Sequence, residues 1–221
     1  MIPWQVLGES RTPDGTAMAL TRRGSEYMIL ADGKDLMSSR MKGSEEELAT
    51  VACARARVLE SPRALVGGLG MGFTLRAALD ALPPQATVVV AELVDAVVEW
   101  NRGPLGPLAK HPLRDARTVV ELGDVMDVMK GQRFDAIMLD VDNGPSAFTQ
   151  ASNAGLYDNA GIAIARAALR ENGVVVYWSA KDDRKFEHRL RYHAFEVEVV
   201  HVRARGKAGG GPRHTLFVGR L

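Results

Sequence analysis

The chain has 221 residues, 46% of them hydrophobic and 25% charged, with a formal net charge of +1. This is the make-up of a soluble globular protein of one large domain, or of one domain with a small appendage, and so balanced a charge gives no global field to draw nucleic acid, which is not an expected partner. Cys53 is the only cysteine, which excludes an internal disulfide and a cysteine-rich zinc site. Met1–Gln5 lacks a basic segment followed by an apolar run, and no apolar stretch approaches the roughly 20 residues of a membrane helix. The expected location is cytoplasmic, with no membrane partner.

Residues up to about Ser39 read as β-structure. Ala17–Thr21 and Tyr27–Leu30 flank the turn Arg22-Arg23-Gly24-Ser25, and Asp32-Gly33 turns the chain again before Lys34–Met37. Three short strands are too few to bury a core alone, so this piece must lean on the rest of the chain or on a second copy, as a homodimer would supply. Gly43-Ser44 then precedes Glu45-Glu46-Glu47: a serine N-cap with acids in the first turn predicts a helix running to about Leu59, with the three acids solvated, the alternative being that the helix overhangs the binding pocket and its acids add acidic character there. The expected division is a β-rich N-terminal region over 1–43 and a Rossmann-like domain over 44–221.

From Pro62 strands and helices alternate. The apolar runs Ala64–Val66, Val88–Val90, Val119-Val120, Ala136–Leu139 and Val174–Trp178 are separated by expected helices at Phe73–Leu82, Val94–Trp100, Val125–Lys130 and Asp158–Arg170, with a further helix at Asp182–His193. Continuous apolar runs divided by helices mean parallel strands buried on both faces. Phe195–Val202 and Thr215–Arg220 are joined by a loop too short for a crossover helix, so they pair antiparallel. The expected fold is α/β: a doubly wound, mostly parallel seven-stranded sheet of Rossmann-like type, with an antiparallel C-terminal hairpin and a small N-terminal β-sheet.

The glycine-rich turn Gly67-Gly68-Leu69-Gly70-Met71-Gly72 follows the first buried strand and opens the first helix of this sheet. Glycines there let the backbone turn tightly and approach a ligand, while the helix start offers free N–H groups. Glu92 ends the second strand about 20 residues later, where a carboxylate is placed to accept hydrogen bonds from ribose hydroxyls. Gly68, Gly70 and Gly72 space as G-x-G-x-G, whereas a dinucleotide fingerprint is G-x-G-x-x-G, which disfavours NAD. Asp124 follows the third strand, placed equally to accept from a base amine or to cap the next helix; Asp140 and Asp142 follow the fourth, too far from the next helix to cap it. Ligands of open α/β sheets bind at the carboxyl ends of the strands, so all these residues share one rim. The remaining histidines show no metal-ligand spacing, and no metal is expected. Arg203, Arg205, Lys207, Arg213 and His214 gather around the last loop and read as a solvated hairpin tip.

At these residues the sequence resembles the spermidine synthase family, within the class I S-adenosylmethionine-dependent methyltransferase fold. Gly68–Arg76 is similar to that family's Gly-Gly-Gly-Asp-Gly-Gly-Val-Leu-Arg segment, Glu92-Leu93-Val94-Asp95 to its ribose-holding Glu-Ile-Asp, and Gly123-Asp124 to its adenine-side Gly-Asp. The resemblance implies cofactor-binding roles for Gly68, Gly70, Gly72, Glu92, Asp124 and Asp140. It puts Asp140 at the catalytic position that helps activate an attacking amine, with Asp142 beside it. Three departures accompany it. Met71 stands where the family has a donor-binding Asp; Arg40–Glu45 replaces an Asp-Glu-Phe-Ser-Tyr segment; and Asp142 is one residue out of register with the family's second Asp. The implied function is transfer of a methyl or aminopropyl group from S-adenosylmethionine or its decarboxylated form, as co-substrate, to a small amine. A catalytically inactive nucleoside-binding or scaffolding protein of the same fold is the alternative.

Overall fold

The computed structural model describes residues 2–141, 155–206 and 210–221; Asp142 lies outside the described residues. The first unit is a four-stranded antiparallel sheet of β1 (Gln5–Arg11), β2 (Ala17–Arg23), β3 (Glu26–Ala31) and β4 (Lys34–Ser38), hydrogen-bonded in that order. It has one strand more than the sequence pattern predicts. Gln5–Arg11 shows no clean alternation, and Gly8 in its middle weakens any strand signal. That glycine has a packing reason, since a Cβ there would lie 2.6 Å from the indole Nε1 of Trp100.

The helix α1 (Gly43–Ala52) starts differently from the expected capped terminus. Its N-cap is Lys42, which makes no side-chain cap, and Ser44 lies inside the helix. The reason is tertiary: Gly43 N–H donates to the Ala204 carbonyl at 2.8 Å, and a Cβ on Gly43 would sit 2.0 Å from the backbone nitrogen of Gly206. The helix start is pressed onto the C-terminal hairpin instead of facing water. The helix ends at Ala52, short of Leu59, and gives way to a 3-10 turn at Ala56–Val58.

The main sheet holds β5 (Arg63–Gly67), β6 (Thr87–Glu92), β7 (Thr118–Leu122), β8 (Phe134–Leu139), β9 (Leu169–Ser179), β10 (Glu196–Arg203) and β11 (Arg213–Arg220), in the order β10-β11-β9-β8-β5-β6-β7. β7, β6, β5, β8 and β9 are parallel neighbours, and β11 runs antiparallel to both β9 and β10. The mixed α/β fold with a seven-stranded sheet, a terminal hairpin and a separate N-terminal sheet is therefore the expected one. Helices α2 (Phe73–Ala81), α3 (Asp95–Arg102), α4 (Val125–Gly131), α5 (Asn159–Ala168) and α6 (Arg184–Tyr192) complete it. Val88 and Val90 belong to one core with Leu48 and Leu79, while Val89 joins Leu65, Ile162 and Phe217 in the other. A strand buried from Val88 to Glu92 with its valines divided between two cores is covered on both faces.

Like α1, α5 is shorter than its pattern. α5 begins at the Asp158 cap, whose carboxylate accepts from Ala160 N–H and Gly161 N–H, but stops at Ala168. Leu169 and Arg170 enter β9, and Arg170 pairs with Asp135 at 2.8 Å. Among the described residues no helix is long and apolar enough to cross a membrane.

Candidate active site at the carboxyl ends of the central strands

The chain winds from β5 outward to β6 and β7, then returns to place β8 on the other side of β5. At such a reversal the loops leaving neighbouring strands diverge and open a crevice. A cavity of about 290 Å³ lies there, walled on one side by the rim of the main sheet and on the other by the N-terminal sheet.

The turn after β5 forms its floor. Gly68, Gly70 and Gly72 have φ of +89°, +51° and +82°, a region that side chains disfavour. Gly68 also lies so close to the next strand that a Cβ would stand 2.7 Å from the Asp140 carbonyl oxygen. Gly68 and Gly70 line the cavity; Gly72, as N-cap of α2, does not and instead packs near Asn101 and Pro112. Met71 turns the other way and is fully buried in the core. We expect Gly68→Ala to lose about 2–3 kcal/mol from left-handed strain and the backbone clash together, lowering the thermal midpoint by about 5–10 °C in calorimetric unfolding.

Glu92 closes the β6 end. Its Oε2 accepts from Leu69 N–H and its Oε1 from Val94 N–H, both at 2.9 Å, so one carboxylate ties the glycine turn to the start of the next loop. Burial raises its pKa, and the backbone donors oppose that rise. Each oxygen keeps a second lone pair, and the residue lines the cavity. Asp124 takes the capping role of its two expected ones. It caps α4 by accepting from Met126 N–H at 2.8 Å, and it stands on the cavity rim with Gly123.

Asp140, just past β8, also lines the cavity, and burial pushes its carboxyl up to about 7. Glu45, a residue expected to be solvated, shares the cavity wall with it. Glu45 is only 8% exposed, and the tertiary seating of α1 is the reason: the first turn is roofed by the hairpin, so its acid points inward. Burial raises the Glu45 pKa well above the usual range, reinforced by the negative charges of Asp140 and then Glu46. Glu46 and Glu47 stay outside the cavity and are only partly buried, Glu46 being paired with Lys42 at 2.7 Å.

His214 likewise departs from its expectation. It belongs to the wall, not to a solvated tip: Nδ1 is 2.9 Å from Ser44 Oγ, and the ring meets the Trp178 indole edge-on at 4.6 Å. Burial lowers its pKa, which keeps the imidazole neutral at neutral pH. The rest of the wall is mostly apolar, including Ile29, Leu36, Met37 and Met41. Four acids and no lysine or arginine line the cavity among the described residues, and no three metal-binding side chains gather among them.

Two solved structures share this architecture, each over 98% of the present chain and 72% of its own. One is spermidine synthase from Thermotoga maritima, with a TM-score of 0.73 at 19% identity. The other is a spermidine synthase in complex with the transition-state analogue AdoDATO, with a TM-score of 0.72 at 18% identity. The fold is that of the spermidine synthases. No protein-family model matches the sequence, and no curated protein does. Within the spermidine synthase fold, the structure gathers Gly68, Gly70, Glu92, Asp124 and Asp140 around one cavity and leaves Gly72 behind it. Sequence reasoning left three of the wall residues out of the candidate site: Trp178, which it did not weigh, and Glu45 and His214, which it read as solvated. A signal existed for two of them. The segment ending at Glu45 is one of the three departures from the pattern of the resemblance, and strand order alone puts the β10–β11 tip on the rim side.

Proposed function

We propose that the chain is a transferase that takes an alkyl group from an adenosyl sulfonium compound to a small amine. The observation that carries this reading is the convergence of a glycine-floored turn and four carboxylates on one largely apolar cavity with no lysine or arginine in its described wall. Such a wall suits a nucleoside carrying positive charge. In this reading Gly68 and Gly70 let the adenosyl group lie against the backbone, Glu92 accepts from the ribose hydroxyls, and Asp124 accepts from the base amine.

The donor supplies an electrophilic carbon on a cationic sulfur that leaves as a neutral thioether. Asp140 then has two tasks. It holds the acceptor as an ammonium ion and takes its proton, so that the nitrogen lone pair is free to form the new C–N bond as the C–S bond breaks and sulfur keeps the electron pair. A carboxyl whose pKa lies near neutrality serves that exchange better than an ordinary one. Holding donor and acceptor in line supplies the remaining advantage.

The charge of the wall also ranks the donors. Intact S-adenosylmethionine carries a carboxylate that would face Glu45 and Asp140 with no lysine or arginine of the described wall to meet it, whereas the decarboxylated form brings only positive charge. We expect the decarboxylated donor, and hence aminopropyl transfer, to be preferred. Calorimetric titration with S-adenosylmethionine, its decarboxylated form, methylthioadenosine and NAD tests this. Tightest binding of the decarboxylated donor supports aminopropyl transfer, and tightest binding of the intact one points to methyl transfer. Binding of NAD alone, or of none of the four, would remove the reading.

A further inference from the structure

Glu45 is a buried acid held in place without a counter-charge, and this gives it a role on the reading that the cavity takes an adenosyl sulfonium donor and an amine. Its seat is made by the C-terminal hairpin. Gly43 N–H donates to the Ala204 carbonyl at 2.8 Å, Ser44 Oγ lies 2.9 Å from His214 Nδ1, and the approach of Gly206 leaves no room for a side chain on Gly43. These contacts fix the first turn of α1, with Glu45 on the cavity wall and only 8% exposed. The cations of the same segment are committed elsewhere: Arg40 pairs with Glu26 at 3.3 Å and Lys42 with Glu46 at 2.7 Å. Glu45 itself has no hydrogen bond or ion pair with any described residue.

A buried carboxyl with no cation beside it is costly to ionise. The charges that act on Glu45 add to that cost, because both are negative: Asp140, just past β8, and then Glu46. Asp140 lines the same cavity, and it too has no hydrogen bond or ion pair with a described residue. Two acids that feel each other's charge lose their protons one after the other, so near neutral pH this pair keeps at least one. The hairpin brings His214 to the wall, but burial keeps its ring neutral and Ser44 engages its Nδ1. Glu92 and Asp124, at the ends of β6 and β7, bring no positive charge. A cation entering the cavity supplies the missing counter-charge and displaces the proton. The role of Glu45 is independent of Asp142, which lies outside the described residues.

We propose that Glu45 is the second acid of the site: with Asp140 it forms a carboxyl pair that takes up a positively charged nitrogen of the ligand and releases a proton to solvent in exchange. The free pair holds one proton and one negative charge; the occupied pair sets two negative charges against the cation. Transfer then reverses the exchange. As the C–S bond breaks and sulfur becomes neutral, the pair takes back a proton, and the acceptor ammonium is its source.

Calorimetric titration of the full chain at pH 7 with decarboxylated S-adenosylmethionine and with methylthioadenosine, repeated in buffers of different ionisation enthalpy, counts the protons released. The donor is expected to release about one proton or more, and methylthioadenosine, which has no ammonium or sulfonium, close to none. Glu45→Gln should release about half as many or fewer, because Asp140 is then the one acid of the pair, and should bind the donor at least about tenfold more weakly. Its circular dichroism spectrum and a methylthioadenosine affinity within about twofold of the native chain show that the variant is folded. A merely structural role would weaken both ligands alike and leave the proton count unchanged. Methylthioadenosine binding with no proton released by the donor, or an unchanged count in Glu45→Gln, overturns the pair and leaves the transferase reading standing. Failure of both ligands to bind removes that reading, and the pair with it.

Discussion

Asp140→Asn is expected to raise the thermal midpoint at pH 8 while lowering the transfer rate by at least about 100-fold, the usual worth of a positioned proton acceptor. The sign follows from burial. The folded-state pKa is raised to about 7 from the ordinary carboxyl value of 3.8, so the native protein holds this proton over a range in which the unfolded chain has released it. Stability is therefore lost as pH rises from about 4 to 7, and above that the whole cost of the buried charge persists. Each pH unit of that range is worth about 1.4 kcal/mol, and solvent reaching the partly exposed site brings the whole cost down to the order of 2 kcal/mol. Asparagine removes it, which corresponds to a gain of about 4–8 °C for a chain of this size. At pH 5 the gain should shrink to roughly a third, because most of the linkage window lies above that pH. Scanning calorimetry at the two pH values checks this. A destabilised variant at pH 8 would show that the Asp140 carboxylate makes a favourable contact in the native state. A stabilising substitution that removes activity is the pattern expected where a site holds unfavourable burial for the sake of its chemistry.

Glu92→Ala should act in the opposite direction on stability and more strongly on binding. Removing the carboxylate leaves Leu69 N–H and Val94 N–H without their acceptor in a buried position, at about 1–3 kcal/mol each. The glycine turn loses its tie to the next loop along with the proposed ribose contact. Methylthioadenosine affinity should fall at least about 100-fold, the loss of two charge-assisted hydrogen bonds. Glu92→Gln separates the two effects: it keeps one acceptor oxygen, and should remain folded in circular dichroism while binding about tenfold more weakly than the native chain. Native-like affinity in the glutamine variant would assign Glu92 to the turn and not to the ligand.

The central strands of the main sheet were legible because they are buried on both faces and so appear as bare apolar runs, as at Val88–Val90; the run at Val119-Val120, expected to be buried likewise, is instead the edge strand β7, with Val119 exposed. The glycine floor and Glu92 were legible because both lie on consecutive elements of one unit, at a spacing that the geometry of a strand, a helix and a strand imposes. Glu45 and His214 were not, because what places them is a meeting of segments 170 positions apart, Ser44 with His214. Local rules read Gly43-Ser44-Glu45 as an exposed helix start, and they are the right rules for a helix whose end meets water. The contact of Gly43 with the Ala204–Gly206 backbone reverses their outcome. β1 escaped for a different reason: its glycine serves the Trp100 indole and erases the strand pattern that would have announced it.

The arrangement of the hairpin also sets an order of events during synthesis. β11 comes later in sequence than every other described strand, yet it lies between β9 and β10. β10 therefore has no partner in the main sheet until the segment 213–220 has emerged, and the roof over Ser44 and Glu45 is missing until then. A ribosome-bound chain ending before that point can assemble the glycine floor but not the enclosed cavity. Ligand cannot stabilise the half-made protein through that cavity, and the unpaired edges of β9 and β10 are then what a chaperone, or a neighbouring nascent chain, would meet.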